Sequence, residues 1–199
     1  MESWSTELRQ DHGGQPAARR VRQRIQAIGD RQLLKTKWIA FFCSVRCPGG
    51  LVLKSYDLAQ RFRAENVPVI GGFHSPVERE VLRILLRSKT PVCVVLARSL
   101  PKRIRPEFRR PLEAGRLLLL APFDERTKRA SLETAEKRNR VVANLAQRIF
   151  VAYAGWNSKT EAFCREMADS DKPCLTFDEA TTANLRDMGF EVSDRRGER

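Results

Sequence analysis

No stretch of the 199 residues approaches the roughly 20 consecutive apolar positions that a membrane-spanning helix needs. The first fifteen residues, Met1 to Gln15, are polar and lack the apolar core of a secretory signal, so they do not read as a signal peptide. Histidine and tyrosine are scarce, with two of each. The five cysteines, Cys43, Cys47, Cys93, Cys164 and Cys174, are an odd number. In a domain of this size that argues against a disulfide framework and for a reducing, cytoplasmic setting. Cys43 and Cys47 are spaced C-x3-C, but no second ligand pair follows, and neither His12 nor His74 completes a zinc pattern. There is no Gly-x-x-x-x-Gly-Lys-Ser/Thr loop, which argues against P-loop nucleotide hydrolysis. The glycine pairs Gly49-Gly50 and Gly71-Gly72 lack the spacing of a dinucleotide fingerprint. No metal, no cofactor and no catalytic constellation is therefore expected.

What the chain has is positive charge. Lys plus Arg number 37 against 24 Asp plus Glu, a net charge of +13. Partners of such a chain are polyanions: nucleic acid, nucleotides or an anionic surface. The excess is uneven, because residues 98–140 hold thirteen Lys/Arg and six Asp/Glu. Arginine outnumbers lysine, and its planar fork suits phosphate oxygens better than a point charge does.

The hydrophobic pattern predicts one domain over 36–190. Short apolar runs at Trp38–Cys43, Val67–Ile70, Pro91–Ala97, Leu117–Leu120, Ile149–Ala154 and Pro173–Phe177 read as strands buried on both faces. Helical patterns separate them, over Leu51–Asn66, from Ser75-Pro76 onward, over Arg140–Ala146, over Ser158–Ala168 and over Glu179–Met188; a shorter one ends at Gly115. Residues 122–137 read as a charged connection. Strand–helix alternation of this kind gives an α/β fold, a mostly parallel sheet with helices on both faces. Residues 1–35 are expected to be an extension, flexible over 1–16 and helical over 17–35, where Val21, Ile25, Ile28 and Leu33 mark one face. The tail 191–199 is expected to be disordered.

In such a sheet ligands bind beyond the carboxyl ends of the strands, where helix starts favour anions. Four turns offer suitable residues. Ser44, Arg46, Gly49 and Gly50 combine a hydroxyl, a guanidinium and flexible backbone before a helix. Gly71, Gly72 and His74 close the next strand, and the two glycines permit close approach of a ligand or another backbone. Arg138, Asn139 and Arg140 stand at the expected start of a short helix. Cations there oppose the helix dipole unless an anion relieves them, and two guanidiniums are available to fork successive phosphates. Gly155, Ser158, Lys159 and Thr160 follow the fifth strand, with Trp156 available either to stack on a base or to cover the turn.

The order of these motifs resembles the DprA/Smf family of DNA-processing proteins across roughly residues 37–178. Arg138-Asn139-Arg140-Val141-Val142-Ala143-Asn144-Leu145 is the most specific match, to the family's Arg-Asn-Arg-Ile-Ile-Ala-Gly-Leu. Ser44-Val45-Arg46-Cys47-Pro48 resembles its Gly-Ser-Arg-x-Pro with one extra residue, and Gly71–Glu78 and Gly155–Thr160 echo its other two glycine segments. The resemblance implies a Rossmann-like domain that binds single-stranded DNA, forms a homodimer and passes the strand to a recombinase, with Arg46, Arg138, Arg140 and Lys159 lining the groove. These 199 residues hold neither the family's winged-helix segment nor its long helical domain, so a minimal or divergent member is expected. The alternative is a nucleotide sensor or nucleoside-phosphate hydrolase of the same Rossmann-like group, using Glu78 or Glu161 as acid and base.

Overall fold

The computed structural model describes residues 3–9 and 22–193. The apolar run Trp38–Cys43 forms strand β3, and every residue in it is buried. Alternation sends Phe41 to one face of the sheet and Phe42 to the other. Phe41 lies parallel to Phe150 at 5.9 Å between ring centres, and Phe42 meets Phe163 edge-on at 5.0 Å. Full burial of each such ring contributes about 1.5–3 kcal/mol, so β3 is the natural centre of the sheet.

The other parallel strands are β4 (Val69–Gly71), β5 (Val92–Val95), β6 (Leu117–Ala121), β7 (Ala146–Tyr153), β8 (Cys174–Thr176) and β9 (Glu191–Val192). Two further strands, β1 (Ser3–Arg9) and β2 (Arg22–Gly29), extend the sheet antiparallel. The order is β1-β2-β6-β5-β4-β3-β7-β8-β9. From β3 the chain steps outward through β4, β5 and β6, then returns to β7 on the other side of β3. That reversal makes the β3/β7 boundary the topological switch point of a Rossmann-like sheet. Helices α1 (Gly49–Ala64), α2 (Pro76–Leu86) and α3 (Pro106–Glu113) cover one face, and α4 (Leu132–Leu145), α5 (Lys159–Ala168) and α6 (Ala183–Asp187) cover the other. The α/β class, the mostly parallel sheet and the single core domain agree with the sequence reading.

The N-terminal expectation needs correction. Residues 3–9 are strand β1, and residues 22–29 are a strand where a helix was expected over 17–35. A 3-10 turn, Arg31–Lys35, follows. The spacing of Ile25 and Ile28 fits a helix, but pairing with β6 decides the outcome: Ile25 and Ala27 go to one core face and Ile28 to the other. Gly29 ends the strand at φ +123°, against the Leu117 carbonyl, where any side chain would collide. Trp4 fastens β1 there by donating its indole N–H to the Gly29 carbonyl at 2.8 Å. Residues 10–21 and 194–199 lie outside the described residues, while Glu191 and Val192 pair with β8 rather than belonging to a free tail.

Candidate nucleic-acid interface

The carboxyl ends of β3, β4 and β5, together with α4, α5 and the start of α2, enclose a crevice of about 650 Å³. Six of the expected residues line it: His74, Arg138, Asn139, Arg140, Lys159 and Thr160. Eight do not. Ser44 is buried beneath, where its Oγ accepts from the Gly155 N–H at 3.1 Å and its own N–H donates to the Tyr153 carbonyl at 2.9 Å. These two bonds stitch β3 to β7 at the switch point. Ser158 is the N-cap of α5, its Oγ accepting from the Glu161 N–H. Gly71 packs against the Phe73 ring, and Gly49 and Gly50 begin α1 beside open space. Arg46 is exposed at the same end of the sheet, next to Val45, which does line the crevice.

Arg138 is the distinctive group. It is 6% exposed, and its guanidinium lies directly on Gly72. Its Nε donates to Asn139 Oδ1 at 2.8 Å, the single side-chain hydrogen bond Arg138 makes among the described residues. Burial pushes its pKa below the usual arginine range, and the nearby Glu78 charge opposes that shift. Gly72 is therefore a glycine because another residue's guanidinium occupies the volume of its Cβ.

The loop between them is held from below. Glu78, itself 7% exposed, accepts from the Cys43 N–H at 3.0 Å and from the His74 and Ser75 N–H groups at 2.7 and 3.1 Å. It completes a capping box with Ser75. Those bonds secure Phe73 at φ +47°, a backbone conformation costly for a bulky side chain. Glu161 does not line the crevice. The Asn184 amide at 2.6 Å, helped by the Asn157 N–H and Arg165, holds its carboxyl below the ordinary range against the opposing effect of burial. Both carboxylates proposed as acid and base are thus engaged in fixing loops.

The expectation for Arg138-Asn139-Arg140 needs correction in two respects. These residues sit in the middle of a helix that begins at Leu132, not at its entry, so the helix-dipole argument does not apply to them. The start was hidden because Ser131 is capped reciprocally by Thr134 rather than by the Glu or Gln that usually marks a capping box. Residues two apart on a helix also face different directions. Arg138 turns inward onto Gly72, whereas Arg140 forks the Glu166 carboxylate at 2.7 and 3.0 Å. The Glu166 bond raises the Arg140 pKa. Lys159 stands 3.4 Å from Glu136. The sequence reading missed these two acids on neighbouring helices, and no local signal marks them. It also missed two exposed apolar side chains on the crevice wall, Val45 and Leu132. Trp156 is 65% exposed, so it does not serve to cover its turn.

Among the described residues no group of three or more His, Cys, Asp and Glu is placed to hold a metal ion, and no helix is long and apolar enough to cross a membrane.

No family model and no curated protein matches the sequence. Solved structures do match. DNA processing protein A (DprA) from Helicobacter pylori, described for its single-stranded DNA binding mode, superposes with a TM-score of 0.73 at 17% identity, covering 96% of this chain and 92% of that one. DprA from Streptococcus pneumoniae gives 0.69 at 16% identity over 87% of this chain, which spans 64% of that longer protein. A molybdenum cofactor binding protein from Rippkaea orientalis gives 0.54 at 13% identity, covering 79% and 89%. The chain therefore has the fold of these DprA proteins, at 16–17% sequence identity to them.

Proposed function

We propose that the crevice binds single-stranded DNA, with Arg138 as the anchor for a phosphate. The observation that carries this reading is a largely buried guanidinium whose terminal nitrogens make no hydrogen bond among the described residues, at the strand ends where this class of sheet takes ligands. Burying an arginine without a full set of acceptors is costly, and a phosphate oxygen accepts two of its N–H bonds at once. Asn139 and Thr160 offer further polar contacts, and Val45 and Leu132 offer apolar surface to a base. The fold shared with H. pylori DprA supports the same ligand. Arg46, at the outer rim, is assigned to a neighbouring phosphate. Cytoplasmic location, a homodimer and transfer of the strand to a recombinase belong to this proposal through the family resemblance.

A nucleoside phosphate is the second reading, favoured by a crevice volume within the usual range for small ligands, roughly 300–1,000 Å³. Binding isotherms with a labelled oligonucleotide at two salt concentrations, repeated with a nucleoside monophosphate as competitor, separate the two. Single-strand binding predicts a log–log salt slope of about −0.7 per phosphate contacted, and a loss of about 1–3 kcal/mol in Arg138→Ala. Wild-type affinity in that variant would refute the anchor.

A further inference from the structure

We infer that a second groove, beside the crevice, binds the sugar–phosphate backbone of a single strand that leaves the crevice. This rests on the single-stranded reading of the crevice itself. The groove has a volume of about 950 Å³ and lies between the β5–α3 loop, the β6–α4 loop and the paired strands β1 and β2. Its rim carries Arg24, Arg98, Lys102 and Lys128 against one acid, Glu125.

Three observations set this rim apart from ordinary solvated charge. First, the cations are available. Among the described residues Arg98, Lys102 and Lys128 make no ion pair and no side-chain hydrogen bond, whereas Arg140 and Lys159 in the crevice already face Glu166 and Glu136. Second, the walls are built. The Ser99 N–H donates to the Thr127 carbonyl at 2.8 Å, tying one loop to the other. Asp124 fixes the second loop by accepting from the Arg126 N–H at 3.1 Å and the Thr127 hydroxyl at 3.2 Å. Apolar Ile28, Leu100 and Ile104 line the groove between the charges. Third, the groove adjoins the crevice. Consecutive residues Ala97 and Arg98 line one and then the other, as do Ala130 and, two residues earlier, Lys128. The antiparallel sense of β2 contributes as well, because it carries the start of that strand, with Arg24, to the end of the sheet where the parallel strands finish.

The chemistry selected is a polyanion with exposed bases. Separate cations neutralise successive phosphates, while the apolar lining accepts base or sugar surface. A single small nucleotide would leave the groove unused.

The test compares two end-labelled oligothymidylates by fluorescence anisotropy, one of about five nucleotides to fill the crevice and one of about twenty to reach the groove. The protein carries Arg98→Ala, Lys102→Ala and Lys128→Ala together, all at exposed positions. A charge-matched control carries Arg63→Ala, Arg87→Ala and Lys89→Ala, exposed positions where α1 and α2 end, at the opposite end of the sheet. The groove variant is expected to bind the long oligomer at least tenfold more weakly, with a salt slope shallower by about 2. The short oligomer and the control variant should bind as wild type does. An unchanged long oligomer, an equal loss on both lengths, or an equal loss in the control overturns the groove while leaving the crevice standing. If wild-type protein binds neither length, or if Arg138→Ala binds the short oligomer normally, the crevice assignment fails and the groove falls with it.

Discussion

Replacing Gly72 by alanine tests whether Arg138 and Gly72 form one unit. A methyl group there would fall 2.6 Å from Arg138 Nε and closer still to Cζ and Nη1. The Gly72 backbone is not in the left-handed region, so alanine is conformationally acceptable and the collision is the whole penalty. Relieving it means moving a buried guanidinium that Asn139 orients at 2.8 Å, and overpacking of this kind costs about 1–3 kcal/mol. In an Arg138→Ala background the obstacle is gone. Glycine to alanine should then stabilise by about 0.4–1 kcal/mol, through the reduced freedom of the unfolded chain. The double-mutant cycle therefore predicts a change of sign, with a coupling of about 1.5–4 kcal/mol. Urea unfolding of the four proteins measures it. Oligonucleotide binding, measured in parallel, should fall in Gly72→Ala about as far as in Arg138→Ala. Additive stabilities, or a Gly72→Ala protein that binds normally, would refute the account of why that glycine is there.

Glu166→Gln leaves Arg140 its geometry but removes the opposing charge. Exposed pairs contribute about 0–1 kcal/mol, so stability should barely change, while single-strand affinity should rise several-fold in an anisotropy titration. Ser44→Ala leaves the Gly155 N–H without its acceptor at the switch point, a loss of about 1 kcal/mol, which calorimetry should report as a fall in Tm of about 2–4 °C. The folded pKa of Glu161 lies below its unfolded value, so its ionised form stabilises the fold above the unfolded value of about 4.3. That contribution disappears as pH falls through the lower, folded value. Urea midpoints measured against pH should therefore decline more steeply in acid for wild type than for Glu161→Gln, and parallel curves would count against it.

The parallel core was readable because its strands announce themselves without help from elsewhere. Trp38–Cys43 is apolar throughout, and Ser75-Pro76 starts a helix by local chemistry alone. Where the sequence misled, the deciding partner was distant. The segment holding Ile25 and Ile28 has helical spacing, yet β6, almost a hundred residues later, makes it a strand. The site was legible by residue type and end of the sheet, but not by role. Arg138 and Arg140 look alike in the sequence; one lies under Gly72 and the other on Glu166, and only helix packing separates them. Carboxylates that occupy a cation leave no trace in the spacing of that cation's own motif.

The pairing of Gln26 with Ala121 also sets an order of events. During synthesis β1 and β2 can pair with each other, but they have no strand of the parallel sheet to join until the chain reaches β6. Long-range pairings of this kind form late and leave strand edges uncovered meanwhile. These two strands are thus made before the parallel core and dock among the last, and the groove they help to wall exists only once β6 and the loop after it have been made.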